Sequence, residues 1–103
     1  MIICYLTCAN DDEAQTIGRA LLEAKLIACV RRMPIQSSYW WGGKINDDNE
    51  VLLMIESRED KFDAINQLVG KLHSYKDYVL TAVPVSQTTP GVLGWIDETL
   101  GKS

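Results

Sequence analysis

The pattern of apolar residues predicts an α+β fold: the order β-α-β-β-α-β, an antiparallel sheet under two helices, and a terminal third helix. Three observations carry this reading. Two strand-then-helix halves begin at Ile2 and at Val51. A long extended run between them, ending in Gly42-Gly43, reads as the first arm of a hairpin. A last β-branched strand near Tyr78–Val85 precedes a Pro-initiated helix. The 103 residues suffice for one domain, 1–103, with no linker or repeat.

Ile2–Cys8 is nearly all apolar, as in a central strand. Asn10 is an N-cap with Glu13 three residues on, the spacing of a capping box. Asp11, Asp12 and Glu13 also suit the positive end of a helix dipole. Ala14, Ile17, Leu21 and Ala24 give helix one its apolar stripe, and the helix ends near Lys25. Leu26–Val30 begins the second strand. Pro34 predicts a bend or bulge at a sheet edge, and the strand resumes over Ile35–Trp41. Gly42-Gly43 and Asn46–Asn49 supply turn residues, so the third strand is expected over Val51–Glu56. Ser57 with Asp60 marks the next N-cap, and Phe62, Ile65, Leu68, Val69 and Leu72 form the buried face of helix two. A connector over 73–77 leads to the fourth strand. Thr89-Pro90 opens helix three, lined by Leu93, Ile96 and Leu100 and closed by Gly101. This element order is the ferredoxin-like split β-α-β arrangement.

Trp40 and Trp41 are two of the three tryptophans, and they are adjacent in a strand. Neighbours along a strand point to opposite faces, so one of the two rings has no place in a single core. The strands are also apolar on both faces, which calls for a covering partner. We therefore expect self-association with Trp40 and Trp41 at the interface.

The net charge of −4, with scattered Lys and Arg, argues against nucleic acid as a partner. The Met1–Cys4 start has no basic leader, and no long apolar span is present, so no membrane is expected. Three cysteines in apolar runs do not form a secreted disulfide pattern. A cytoplasmic location is expected.

The chemistry-bearing residues are few. There is one histidine, His73, and no closely spaced metal-ligand pair. Cys4 and Cys8 share a strand face but stand about 13 Å apart, too far for one ion. Cys29 reads as a small buried hydrophobe. Cys8, just before helix one, is a candidate thiolate that Asp11 and Asp12 oppose. No G-x-S-x-G, Walker A or G-x-G-x-x-G sequence is present, so no enzyme is expected. The acidic stretch Asp47–Glu50 reads as a solvated hairpin tip. Tyr39, Trp41, Lys44, Tyr75 and Trp95 are the candidates for a ligand cleft between subunits.

Several segments in order resemble the CutA-like divalent-cation tolerance proteins: residues 21–30 (LLEAKLIACV), 39–45 (YWWGGKI) and 50–58 (EVLLMIESR), then Val83-Pro84-Val85 and Leu93-Gly94-Trp95-Ile96. The resemblance spans nearly the whole chain. It implies a compact homotrimer with hairpin edges paired between subunits, and a role in tolerance to divalent metals, copper (Cu2+) chiefly. It also implies metal ligands near His73. That family usually carries His-Pro-Tyr-x-x-Pro-Glu here. This chain has His73-Ser74-Tyr75-Lys76-Asp77-Tyr78-Val79, without the prolines and the Glu. The expected metal set is therefore His73, Cys8 and Asp77, with Asp77 in place of the missing Glu. Cys8 stands one residue from the position used by relatives that have a Cys there, and such a shift flips the face. The implied trimer also resembles the nitrogen-regulatory PII proteins. That supplies the alternative: a sensor of a small organic or anionic ligand at the subunit clefts.

Overall fold

The computed structural model describes residues 1–101. The elements are β1 Ile2–Cys8, α1 Asp11–Glu23, β2 Cys29–Trp41, β3 Lys44–Ser57, a short 3-10 turn Glu59–Lys61, α2 Phe62–Leu72, β4 Leu80–Pro84 and α3 Pro90–Leu100. The four strands form one antiparallel sheet in the order β2-β3-β1-β4. This is the ferredoxin-like arrangement that the element order predicts.

One face of the sheet is the core. Ile2, Cys4, Leu6 and Cys8 of β1 and Val51, Leu53 and Ile55 of β3 pack with Ala14, Ile17 and Leu21 of α1 and Ile65 and Val69 of α2. Strand periodicity puts the alternate residues Ile3, Tyr5 and Thr7 on the other face, where they are only half-buried. The sheet therefore keeps one partly open apolar face, as the two-sided apolar strands predict.

Pro34 does not bend β2. Cys29 through Trp41 pair residue for residue with Glu56 through Lys44, and Pro34 sits opposite Val51. The expected edge position holds, because β2 is the outermost strand and a missing N–H is tolerated there. The turn is Gly42-Gly43 alone. Both residues have positive φ, 61° and 76°, as a two-residue hairpin turn of the twist-matched type requires. Asn46–Asn49 are not a turn but part of β3, opposite Tyr39–Gln36. Their polarity suits a ribbon that rises out of the sheet. β1 pairs only with residues 51–57 of β3, so residues 35–50 extend as a two-stranded ribbon. At about 3.4 Å per residue its arms reach some 20 Å beyond the body.

Two caps differ from expectation. Ser57 ends β3 and is fully buried, where its hydroxyl donates to the Leu26 carbonyl at 2.6 Å. It does not cap α2, which starts after the 3-10 turn without a side-chain cap. Thr89 occupies the N-cap of α3 with Pro90 following, but its side chain makes no capping bond. β4 is also shorter than expected. Tyr78 lies outside it and turns its hydroxyl to Asn66 Oδ1 at 2.5 Å.

A candidate metal centre at the end of the first strand

The carboxyl end of β1 meets the start of α1 and the end of α2. Asn10 caps α1 as expected, its Oδ1 accepting the Glu13 N–H at 2.9 Å. Glu13 reaches back to the Ala9 N–H at 2.7 Å, one residue beyond the usual capping-box partner. Its other oxygen accepts the Ser74 N–H at 2.6 Å. Glu13 thus ties the start of α1 to the segment after α2.

His73 ends α2 and its side chain is fully buried. Nδ1 accepts the Tyr75 N–H at 3.0 Å, and Nε2 lies 2.8 Å from the Thr7 carbonyl oxygen. A backbone N–H can only donate and a carbonyl can only accept. These partners therefore fix the tautomer: Nε2 carries the proton and Nδ1 offers a lone pair. The ring also stacks on Tyr78, centroids 5.1 Å apart.

Cys8 completes the group. One ligand atom each from Cys8, Glu13 and His73 lie within 4.8 Å of one another. His73 Nδ1 is 3.8 Å from Glu13 Oε1. Metal–ligand bonds of about 2.0–2.3 Å need donors slightly closer than this, so the trio fits one ion after a closure of about 1 Å. A sulfur, an imidazole nitrogen and a carboxylate oxygen suit a late first-row metal better than a hard cation. The Nε2–H bond to the Thr7 carbonyl is the outer-sphere contact that typically orients a ligating imidazole.

The electrostatics also favour a cation. Burial pushes the Cys8 thiol up to about 12, and the carboxylates of Glu13 and Glu50 push it the same way. The carboxylates' share of that shift is a negative field that a positive ion would relieve. Burial alone would raise the Glu13 carboxyl. The bonds from Ala9 and Ser74 outweigh that and hold it below the ordinary range.

Of the expected ligand set, His73 and Cys8 come together and Asp77 does not. Asp77 is exposed in the connector and lies outside the group. Glu13 takes the carboxylate position. Its capping spacing was visible in the sequence, but capping does not disclose a carboxylate turned toward a histidine 60 residues away.

The expected cleft residues do not form one site within the chain. The Tyr75 hydroxyl donates to the buried Glu50 carboxylate at 2.9 Å, and the Tyr39 hydroxyl donates to Asp48. Trp41 and Lys44 pair with each other at the ribbon tip, and Trp95 lies on α3. None of the five lines either of two surface grooves, one between α1 and β2 and one on the ribbon. Trp40 and Trp41 are 71% and 66% exposed, so neither ring, rather than just one, finds cover inside the chain. Among the described residues, no helix is long and apolar enough to cross a membrane.

A family model described as "CutA1 divalent ion tolerance protein" matches residues 2–99. The "Divalent-cation tolerance protein CutA" of Archaeoglobus fulgidus is 38% identical over 96 residues, 93% of this chain and 94% of that one. The "Protein CutA homolog" of Xenopus laevis is 42% identical over 95 residues, 91% of this chain but 63% of the frog protein. The chain thus spans less than two thirds of that longer relative. Two solved structures superpose closely. One, described as a periplasmic divalent cation tolerance protein CutA from Archaeoglobus fulgidus, has a TM-score of 0.94 at 38% identity and covers 97% of this chain and 99% of its own. The other, CutA1 from Oryza sativa, has a TM-score of 0.94 at 33% identity and covers 99% and 94%.

Proposed function

Because the chain belongs to the CutA1 divalent ion tolerance family, we propose that it takes part in tolerance to divalent metals by binding a transition-metal ion, copper chiefly, at Cys8, Glu13 and His73. The convergence of those three ligand atoms beside an imidazole already held in a ligating tautomer is the observation that supports this reading. The ion would supply positive charge to a pocket where burial first, and Glu13 and Glu50 after it, keep the thiol protonated. The role is binding rather than turnover: Cys8 is buried with its thiol neutral, and the Nδ1 lone pair of His73 already accepts the Tyr75 N–H. Three free cysteines, two of them buried, support a reducing, cytoplasmic setting.

The assembly is a homotrimer in this reading. An isolated two-stranded ribbon is marginal in water, and this one carries Trp40, Trp41 and Ile45 exposed. Packing against other subunits would cover both. Of the alternative, a small organic or anionic ligand at the subunit clefts, the anionic form is disfavoured because Tyr39 and Tyr75 donate to carboxylates that would repel it.

Native mass spectrometry with and without a slight excess of Cu2+ tests both parts. The expected result is a trimer that gains one copper per chain and loses that gain in Cys8→Ser. A monomer would sink the assembly reading, and a trimer without copper uptake would sink the metal reading.

A further inference from the structure

The lone pair on His73 Nδ1 is the atom-level feature on which the candidate centre turns. Nδ1 lies 3.8 Å from Glu13 Oε1, and its lone pair accepts the Tyr75 N–H at 3.0 Å. An imidazole nitrogen has one lone pair in its ring plane, so it can serve one partner at a time. The other nitrogen is committed to the Thr7 carbonyl at 2.8 Å. That bond joins the end of α2 to the last residues of β1.

Tyr75 has a second attachment. Its hydroxyl donates to Glu50 at 2.9 Å, and Glu50 is a buried carboxylate at the root of the ribbon, opposite Ile35. The next residue, Val51, pairs with Cys8. Tyr75 therefore bridges two places. Its backbone N–H holds the histidine, and its side chain holds the point where the ribbon leaves the sheet.

We propose that a late first-row cation and the Tyr75 N–H compete for His73 Nδ1, so that occupancy of the centre releases the Tyr75 backbone and loosens the Tyr75–Glu50 contact at the ribbon root. This rests on the metal-binding reading above and adds its regulation: Tyr75 is held in the metal-free chain and released on capture. Cys8 Sγ loses its proton to solvent as the ion binds, so capture by a dication releases one proton per chain. Glu13 keeps its Ala9 and Ser74 bonds through lone pairs not needed for the ion, which leaves Tyr75 as the group that must yield. The consequence reaches the ribbon, where Trp40 and Trp41 are exposed in the single chain.

The test is amide hydrogen exchange by NMR on the full chain, with Zn2+ as a probe that is neither redox-active nor paramagnetic. Binding is measured in parallel by titration calorimetry on the wild type and Cys8→Ser. The expected result is zinc uptake that Cys8→Ser weakens, with the Tyr75 amide exchanging at least about tenfold faster in the zinc form. Tyr75→Phe keeps the N–H but not the hydroxyl. Because the ion and the Tyr75–Glu50 bond oppose each other, it should bind zinc more tightly than the wild type, while the zinc-induced shifts at Ile35 and Glu50 disappear. Zinc uptake through Cys8 with an unchanged Tyr75 amide would overturn the competition and leave the metal reading standing. No zinc uptake at all would overturn this proposal, and the Cu2+ mass spectrometry would then decide the metal reading separately.

Discussion

His73 Nε2 lies 2.8 Å from the carbonyl oxygen of Thr7, a contact across 66 residues of sequence. It fastens the end of α2 to the end of β1 and, with the Tyr75 N–H on Nδ1, decides which ring nitrogen carries the proton. The same bond thus serves stability and the candidate centre.

His73→Ala removes a fully buried ring and leaves the Thr7 carbonyl and the Tyr75 N–H without their partner. We expect a loss of about 2–4 kcal/mol, from the vacated buried ring and the part-buried Thr7 carbonyl, since the exposed Tyr75 N–H can bond to water. Urea unfolding should show a lower midpoint at unchanged slope. A midpoint equal to wild type would mean that the two bonds add nothing.

Glu13 gives the acid limb of the stability curve a definite sign. Its carboxyl is held below the ordinary range when folded, so it stabilises the chain above the unfolded value of about 4.3. That contribution is lost as pH falls through the lower folded value. The advantage of wild type over Glu13→Gln should be full above about pH 5.5 and shrink below pH 4. A gap that stays constant from pH 6 to pH 3 would contradict the arrangement.

The thiols set the alkaline limb. Burial raises Cys4 to about 11, and burial with Glu13 and Glu50 raises Cys8 to about 12. Unfolded thiols ionise near 8.5, so the unfolded state sheds protons that the folded state keeps. Stability should fall as pH rises above about 8.5 through the folded values, and less steeply in Cys8→Ala. In the native protein an aromatic disulfide reagent should label the half-buried Cys29 first, with Cys4 and Cys8 reacting only after unfolding. Fast labelling of Cys8 at neutral pH would refute its burial.

Trp40→Ala or Trp41→Ala should weaken self-association by at least ~2 kcal/mol, roughly thirtyfold in the dissociation constant. Sedimentation at micromolar concentration reads this directly. Secondary structure should be unchanged, since both rings are exposed in the single chain.

Much of the fold was legible in the sequence because its signals are local. The cap at Asn10, the stripe Ala14–Ile17–Leu21 and the Gly42-Gly43 turn each depend on a few neighbouring residues. The misreadings arose where a long-range contact outweighed a local preference. Ser57 looks like a cap, but its hydroxyl satisfies the Leu26 carbonyl instead. Asn46–Asn49 look like a turn, yet the two glycines had already reversed the chain, so these residues pair with Gln36–Tyr39. Pro34 looks like a break, but an edge strand does not need its N–H.

The sequence by itself determined the element order, the apolar faces and the presence of one histidine and a thiol at a strand end. Those follow from side-chain periodicity and from backbone chemistry over a few residues. Only the tertiary structure decided that Glu13 rather than Asp77 stands beside His73 and Cys8. The reason is that Glu13 sits at the start of α1 and His73 at the end of α2. Packing those helices on one sheet face brings together two termini that no local pattern relates.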